Sequence, residues 1–220
     1  MVTAYLLMGG AFLLGLIAQR RVTSAFKQMS AVPAGLTGFE AARRMLDREG
    51  LSGVGIEEIG GRLSDHYDPR SKVLRLSSEV YRGHSMASVG VACHEAGHAL
   101  QDAKNYAPLV IRNLAVPSAN FGSGTGMGLI MLGVFTGMTG LIMVGVILFT
   151  AVVAFQLVNL PVEFDASARA RRALVDQGMI SPNEEPYVAK VLNAAAFTYV
   201  AGTVQSIVTL VFYALLANED

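Results

Sequence analysis

The chain has 220 residues, with 17 Lys and Arg balanced by 17 Asp and Glu; it is 52% hydrophobic, only 15% charged, and has a mean hydropathy of +0.45. Soluble domains carry about 25% charged residues, so composition excludes an ordinary soluble protein and a disordered chain. Without a basic excess to neutralise phosphates it also excludes a nucleic-acid binder, and the single cysteine, Cys93, excludes an intramolecular disulfide framework and a Cys-based zinc cluster.

Residues 1–19 carry no charge and suffice for one transmembrane helix, which needs about 20 apolar residues. Their positive neighbours, Arg20 and Arg21, follow the apolar stretch instead of preceding it, which is not the order of a signal peptide. Segment 20–112 is polar. Thr37-Gly38-Phe39-Glu40 is a capping-box pattern opening a helix, with Phe39, Ala42, Met45 and Leu46 at helical spacing and Gly50 as its stop. Three short strands are predicted at 54–59, 63–67 and 72–76. The last two form a hairpin through Asp68-Pro69-Arg70-Ser71. Ser85 to Asp102 reads as a helix.

Residues 113–162 are again uncharged. As one helix they would be about 75 Å long, too long for one crossing and too short for three. They read as a transmembrane hairpin, near 115–136 and 141–160, turning at Gly137-Met138-Thr139-Gly140. Segment 163–190 is polar and helical, with Pro161 at the first helix's start, Gly178 at its end and a new helix from Ser181. Residues 191–218 carry no charge and give the last crossing, so 191–220 is a transmembrane helix with a short outer tail. All 17 Lys and Arg fall in 20–112 and 163–190. The positive-inside rule places both segments in the cytoplasm and both termini outside. The fold class is therefore an α-helical membrane protein of about four transmembrane helices with a cytoplasmic α+β domain.

Chemistry enters at His94-Glu95-Ala96-Gly97-His98. Residues i and i+4 share a helix face, so both imidazoles can meet one metal. Glu95, one residue after the first ligand, is placed to reach the attacking water as a general base. That is the H-E-x-x-H arrangement of zinc proteases. A catalytic zinc needs a third protein ligand. Glu163 is favoured, with Asp165 as the competitor: two crossings return the chain to the side of His98, whereas one would leave them about 30 Å apart.

The chain resembles a family at this point. Ser64-Asp65-His66-Tyr67-Asp68-Pro69-Arg70-Ser71-Lys72, His94-Glu95-Ala96-Gly97-His98-Ala99-Leu100-Gln101, Tyr106-Ala107-Pro108 and Arg112-Asn113 look like the YugP-type neutral zinc metallopeptidases, which are bacterial membrane proteases. The likeness runs from about Gly35 to Ala170. It implies a zincin-like, gluzincin-type peptidase with His94 and His98 as zinc ligands and Glu95 catalytic. The plan is also similar to HtpX-type proteases, which place a membrane hairpin between H-E-x-x-H and the ligand Glu of an E-x-x-x-D motif. Glu163 matches that ligand, but Ser167 stands where the family has Asp. That Asp orients a ligand histidine; Asp165, Asp102 and Ser167 itself are the candidates to replace it.

Candidates for a donor to the tetrahedral oxyanion are His66, Tyr67, Tyr81, His84 and Tyr187. Cys93 reads as an inert buried thiol. Gly124-x-x-x-Gly128 and Gly133-x-x-x-Gly137 allow close packing within the chain, and strand 72–77 is a candidate edge on which a substrate could lie. The sequence thus predicts a membrane-embedded zinc endopeptidase of the bacterial cell membrane, cutting polypeptides, membrane proteins among them, at the cytoplasmic face. Two alternatives compete with it. One is intramembrane cleavage, with 85–100 as a membrane helix. The other is a non-catalytic scaffold or transporter with a metal site, in which Glu95 would have no use.

Overall fold

The computed structural model describes residues 2–218; the last two residues of the expected outer tail lie outside the described residues. The chain is mostly helical with one small sheet. It divides into two compact units, each built from separated stretches of sequence. One comprises Met1–Gln19, Ala107–Pro161 and Phe197–Asp220; the other comprises Arg20–Tyr106 and Val162–Ala196.

The first unit is apolar. Among the described residues three helices are long and apolar enough to cross a membrane: α1 (Val2–Ser30), α7 (Thr139–Asp176) and α8 (Glu185–Leu216). Before α7, helices α5 (Ala107–Phe121) and α6 (Met127–Thr136) are joined by a π-helical turn, Gly122–Gly126, into one unbroken run. Gly137 then takes a left-handed conformation, φ +70°, and reverses the chain, at the predicted turn. Glycines set the packing here, with Gly133 the one member of the two expected pairs that does so. A β-carbon at Gly122 would fall 2.4 Å from the Leu148 carbonyl oxygen, and one at Gly133 2.8 Å from the Ile142 nitrogen. At Gly124 or Gly128 it would meet nothing within 4 Å, because those residues face away from α7. Leu6, Phe12, Leu13, Leu132, Phe135, Ile147 and Val211 are exposed on this unit. That is costly in water and suited to lipid.

Elements run longer than expected. Helix α1 continues past Arg20 and Arg21 to Ser30, and Ala4, Ala11, Ala18 and Ala25 are buried at every seventh residue, a stripe that keeps one face inward. Helix α7 continues past Pro161. The proline removes one amide hydrogen bond, yet the helix does not restart there.

The second unit carries the polar chemistry. Thr37 caps α2 (Gly38–Arg48): its hydroxyl accepts from the Glu40 amide at 3.1 Å, and Glu40 accepts from the Thr37 amide at 2.8 Å. Strands β1 (Gly55–Ile59), β2 (His66–Asp68) and β3 (Val73–Ser77) form a sheet in the order β1-β3-β2. The β2–β3 pair is the expected antiparallel hairpin, and β1 lies parallel to β3. Strand 72–77 is therefore central, not an edge. The resemblance motif's charged residues tie this sheet together. Asp65 accepts from the Ser77 amide at 2.7 Å, while Asp68 accepts from Arg70, Ser71 and Arg75. Ser78–Tyr81 forms a short helix, α3. Ser85 caps α4 (Met86–Ala103), accepting from the Ser88 amide at 3.1 Å.

Met45, Leu46, Leu74, Leu76 and Leu174 are fully buried around α4. Each contributes about 1.5–3 kcal/mol relative to an exposed side chain. Fourteen residues of α4 are buried, so the helix of the H-E-x-x-H motif is the core element of this unit.

Candidate metal centre

His94, Glu95 and His98 stand on α4, and Glu163 stands on α7. One turn separates the histidines, and their rings meet edge to face, 4.8 Å between centroids. Glycine at 97 brings the helices together there: a β-carbon would fall 2.7 Å from the carbonyl oxygen of Ala166. The approach puts Glu163 Oε2 3.2 Å from His94 Nε2 and 3.6 Å from His98 Nε2. All three side chains thus offer a ligand atom within 4.8 Å of the others, and Glu163 is 4% exposed.

This donor set fits a zinc ion. Zinc bonds to nitrogen and oxygen of about 2.0–2.1 Å, arranged tetrahedrally, place neighbouring ligand atoms about 3.3 Å apart, close to the 3.2 Å and 3.6 Å from Glu163 to the two imidazoles. Two imidazoles and a carboxylate are also the borderline ligands that zinc takes. A carboxylate buried to this degree demands positive charge beside it. The His98 imidazole responds: burial opposes its charge, but the hydrogen bond to Glu163 and the carboxylates of Glu95 and Glu163 outweigh it and raise its proton affinity. A divalent cation satisfies the same demand.

Other sequence candidates fall elsewhere. Asp165 does not reach the triad; its Oδ2 accepts from Arg169 Nε at 2.6 Å and Gln101 Nε2 at 2.8 Å. Asp102 accepts from Tyr67, at 2.6 Å, and from Lys72. Burial and this carboxylate push the Tyr67 phenol up, so it stays protonated. His66 lies exposed against the Ser64 carbonyl, Tyr81 stacks on Phe39, and His84 and Tyr187 are exposed. Cys93 is fully buried, and burial pushes its thiol up, away from the thiolate that a metal would require.

The place of the missing Asp is taken by Ser167 itself: its Oγ lies 3.1 Å from His94 Nδ1. The other histidine has a partner that spacing did not single out. His98 Nδ1 lies 2.9 Å from Oε1 of Gln101, a residue with no exposed surface. A polar side chain three residues after a candidate ligand histidine, on a helix otherwise buried, was the available signal.

A buried His-His-Glu cluster, drawn from an H-E-x-x-H helix and a second helix beside it, has the ligand set of a zinc hydrolase. From residue 4 to 218 the chain matches the model of the family described as "Putative neutral zinc metallopeptidase". It is 48% identical over 201 residues to a protein of Bacillus subtilis (strain 168), "Putative membrane protease YugP", covering 90% of this chain and 89% of that one. The chain belongs to this zinc metallopeptidase family. No solved structure matches it.

Proposed function

We propose that this chain is a membrane zinc endopeptidase of gluzincin type that hydrolyses polypeptides at the cytoplasmic face of the bacterial membrane. His94, His98 and Glu163 hold the metal, and Glu95 is the general base. The observation that carries the reading is the convergence of these three ligand atoms from two helices beside a buried carboxylate, Glu95, that none of them needs.

When bound, zinc supplies a Lewis acid that polarises the scissile carbonyl and makes water more acidic. The chain's residues do the rest. Glu95 accepts a proton from the attacking water and delivers it to the leaving amine nitrogen. Ser167 and Gln101 hold the two imidazoles in place. Helix α4 packs against α2 and the sheet in the polar unit, which favours cleavage outside the membrane over cleavage within it. The expected result with purified protein is peptide hydrolysis abolished by a chelator and restored by about one zinc per chain. Activity that survives complete zinc removal would refute the reading.

The cytoplasmic placement rests on two observations. All 17 Lys and Arg lie in 20–112 and 163–190, and all of them except Arg112 belong to the second unit. An even number of crossings must then separate the two stretches, which makes the α5–α6 run a fourth span beside α1, α7 and α8. In a Cys93→Ser background, a membrane-impermeant thiol reagent applied to intact cells should modify Asn218→Cys and spare Asn183→Cys. Modification at 183 would overturn the orientation.

A further inference from the structure

We propose that Gln101 is a positioning residue for the metal centre: it fixes which nitrogen of His98 carries the proton and binds that histidine to the helix segment bearing Glu163. The inference rests on the ligand set proposed above.

The argument begins from an amide whose orientation is decided by its neighbours. Gln101 has no exposed surface, so every polar atom needs a partner inside the protein. One end of its amide lies 2.7 Å from the carbonyl oxygen of Val162 and 2.8 Å from Oδ2 of Asp165. A carbonyl and a carboxylate only accept, so that end is the NH2 group, donating one hydrogen to each. The other end is then the oxygen, and it faces His98 Nδ1 at 2.9 Å. An amide oxygen only accepts, so Nδ1 must carry the hydrogen. In the neutral imidazole this leaves the lone pair on Nε2, the nitrogen that faces Glu163.

His94 has no such constraint. Its Nδ1 meets the Ser167 hydroxyl at 3.1 Å, and a hydroxyl can donate or accept. The two ligand histidines are therefore anchored unequally, and His98 is the one whose tautomer the protein dictates.

Gln101 also sets helix register. Gly97 meets Ala166 and Gln101 meets Val162, one turn apart on both α4 and α7. The two Nε2 hydrogen bonds land on Val162 and Asp165, on either side of Glu163. Asp165 is in turn fixed by Arg169, whose guanidinium lies 5.7 Å from the Tyr106 ring centroid. A shift of α7 along α4 would break these bonds as it displaced the ligand carboxylate.

The test uses the full-length protein in detergent, with zinc affinity measured by chelator competition and the visible spectrum of the cobalt-substituted protein, neither of which depends on activity. Gln101→Met keeps the length and removes the polar atoms. It should weaken zinc binding about 10- to 100-fold and alter the cobalt spectrum, while Ser167→Ala weakens it less. Gln101→Glu keeps the acceptor facing His98 but turns an oxygen towards Val162 and Asp165, so its affinity should fall between wild type and Gln101→Met. Wild-type affinity and spectrum in either folded variant, with or without a lower Tm, would make Gln101 a packing residue and overturn the proposal. Wild type that binds no zinc, or Glu163→Ala that keeps it, would instead overturn the ligand assignment on which this rests.

Discussion

Glu95→Gln is expected to keep its zinc and fold and lose about 100- to 10,000-fold in peptide hydrolysis, the range associated with a general base. The loss follows from chemistry: an amide is nearly the size of a carboxylate but cannot take the attacking water's proton. The retention follows from geometry. The triad draws its ligand atoms from His94, His98 and Glu163, and Glu95 supplies none of them. Its carboxylate acts on His98 through space, so removing its charge should alter metal affinity modestly and leave the ligands in place. Rates should be compared at equal zinc content. Equal rates in the two proteins, with both still blocked by a chelator, would assign the base to another residue. A non-catalytic scaffold predicts no functional difference at all.

The membrane-facing elements were legible because each rests on a local, one-dimensional signal. Uncharged stretches marked where helices can meet lipid, and Gly137 marked the reversal because only a residue without a β-carbon takes φ +70° freely. Thr37 and Glu40 marked the start of α2 for the same kind of reason: both capping hydrogen bonds lie within four residues. Helix boundaries inside continuous helices were less legible. Pro161 favours a helix start as readily as it tolerates a helix interior, and tertiary packing around Val162 and Ala166, both fully buried, decides between them.

Sheet order was invisible for a related reason. The Asp68–Ser71 turn specifies a hairpin, but nothing local tells β1 to lie parallel to β3. The two are joined across the hairpin, and the register runs from Gly55↔Val73 to Ile59↔Ser77, pairing residues eighteen positions apart. At the candidate site, spacing alone paired His94 with His98 on one helix face, whereas the histidines' partners could not be read from it. Ser167 was weighed only as a departure from a pattern. Gln101 is ordinary in isolation and acquires a role only when Val162 and Asp165, more than sixty positions away, fix the direction of its amide.

Glu163→Ala should bring zinc content from about one per chain to a small fraction after dialysis, because a site with two protein ligands lacks the third that a catalytic zinc requires. The loss should exceed that of any other carboxylate substitution in the polar unit. Glu163 Oε2 is the atom on which both imidazoles converge, at 3.2 Å and 3.6 Å, and an alanine offers no donor in its place. Asp165→Ala is the matched control, two residues along the same helix. Its carboxylate is directed at Arg169 and Gln101, so its removal leaves the three ligand atoms in place and frees one hydrogen of the Gln101 amide. Zinc should stay near one per chain at saturating metal, with affinity reduced by less than in Glu163→Ala. Full occupancy in Glu163→Ala together with loss in Asp165→Ala would transfer the third ligand to Asp165. It would also require α7 to turn by about 200°, since residues two apart on a helix are separated by that angle, and that rotation would break the Gln101–Val162 bond with it.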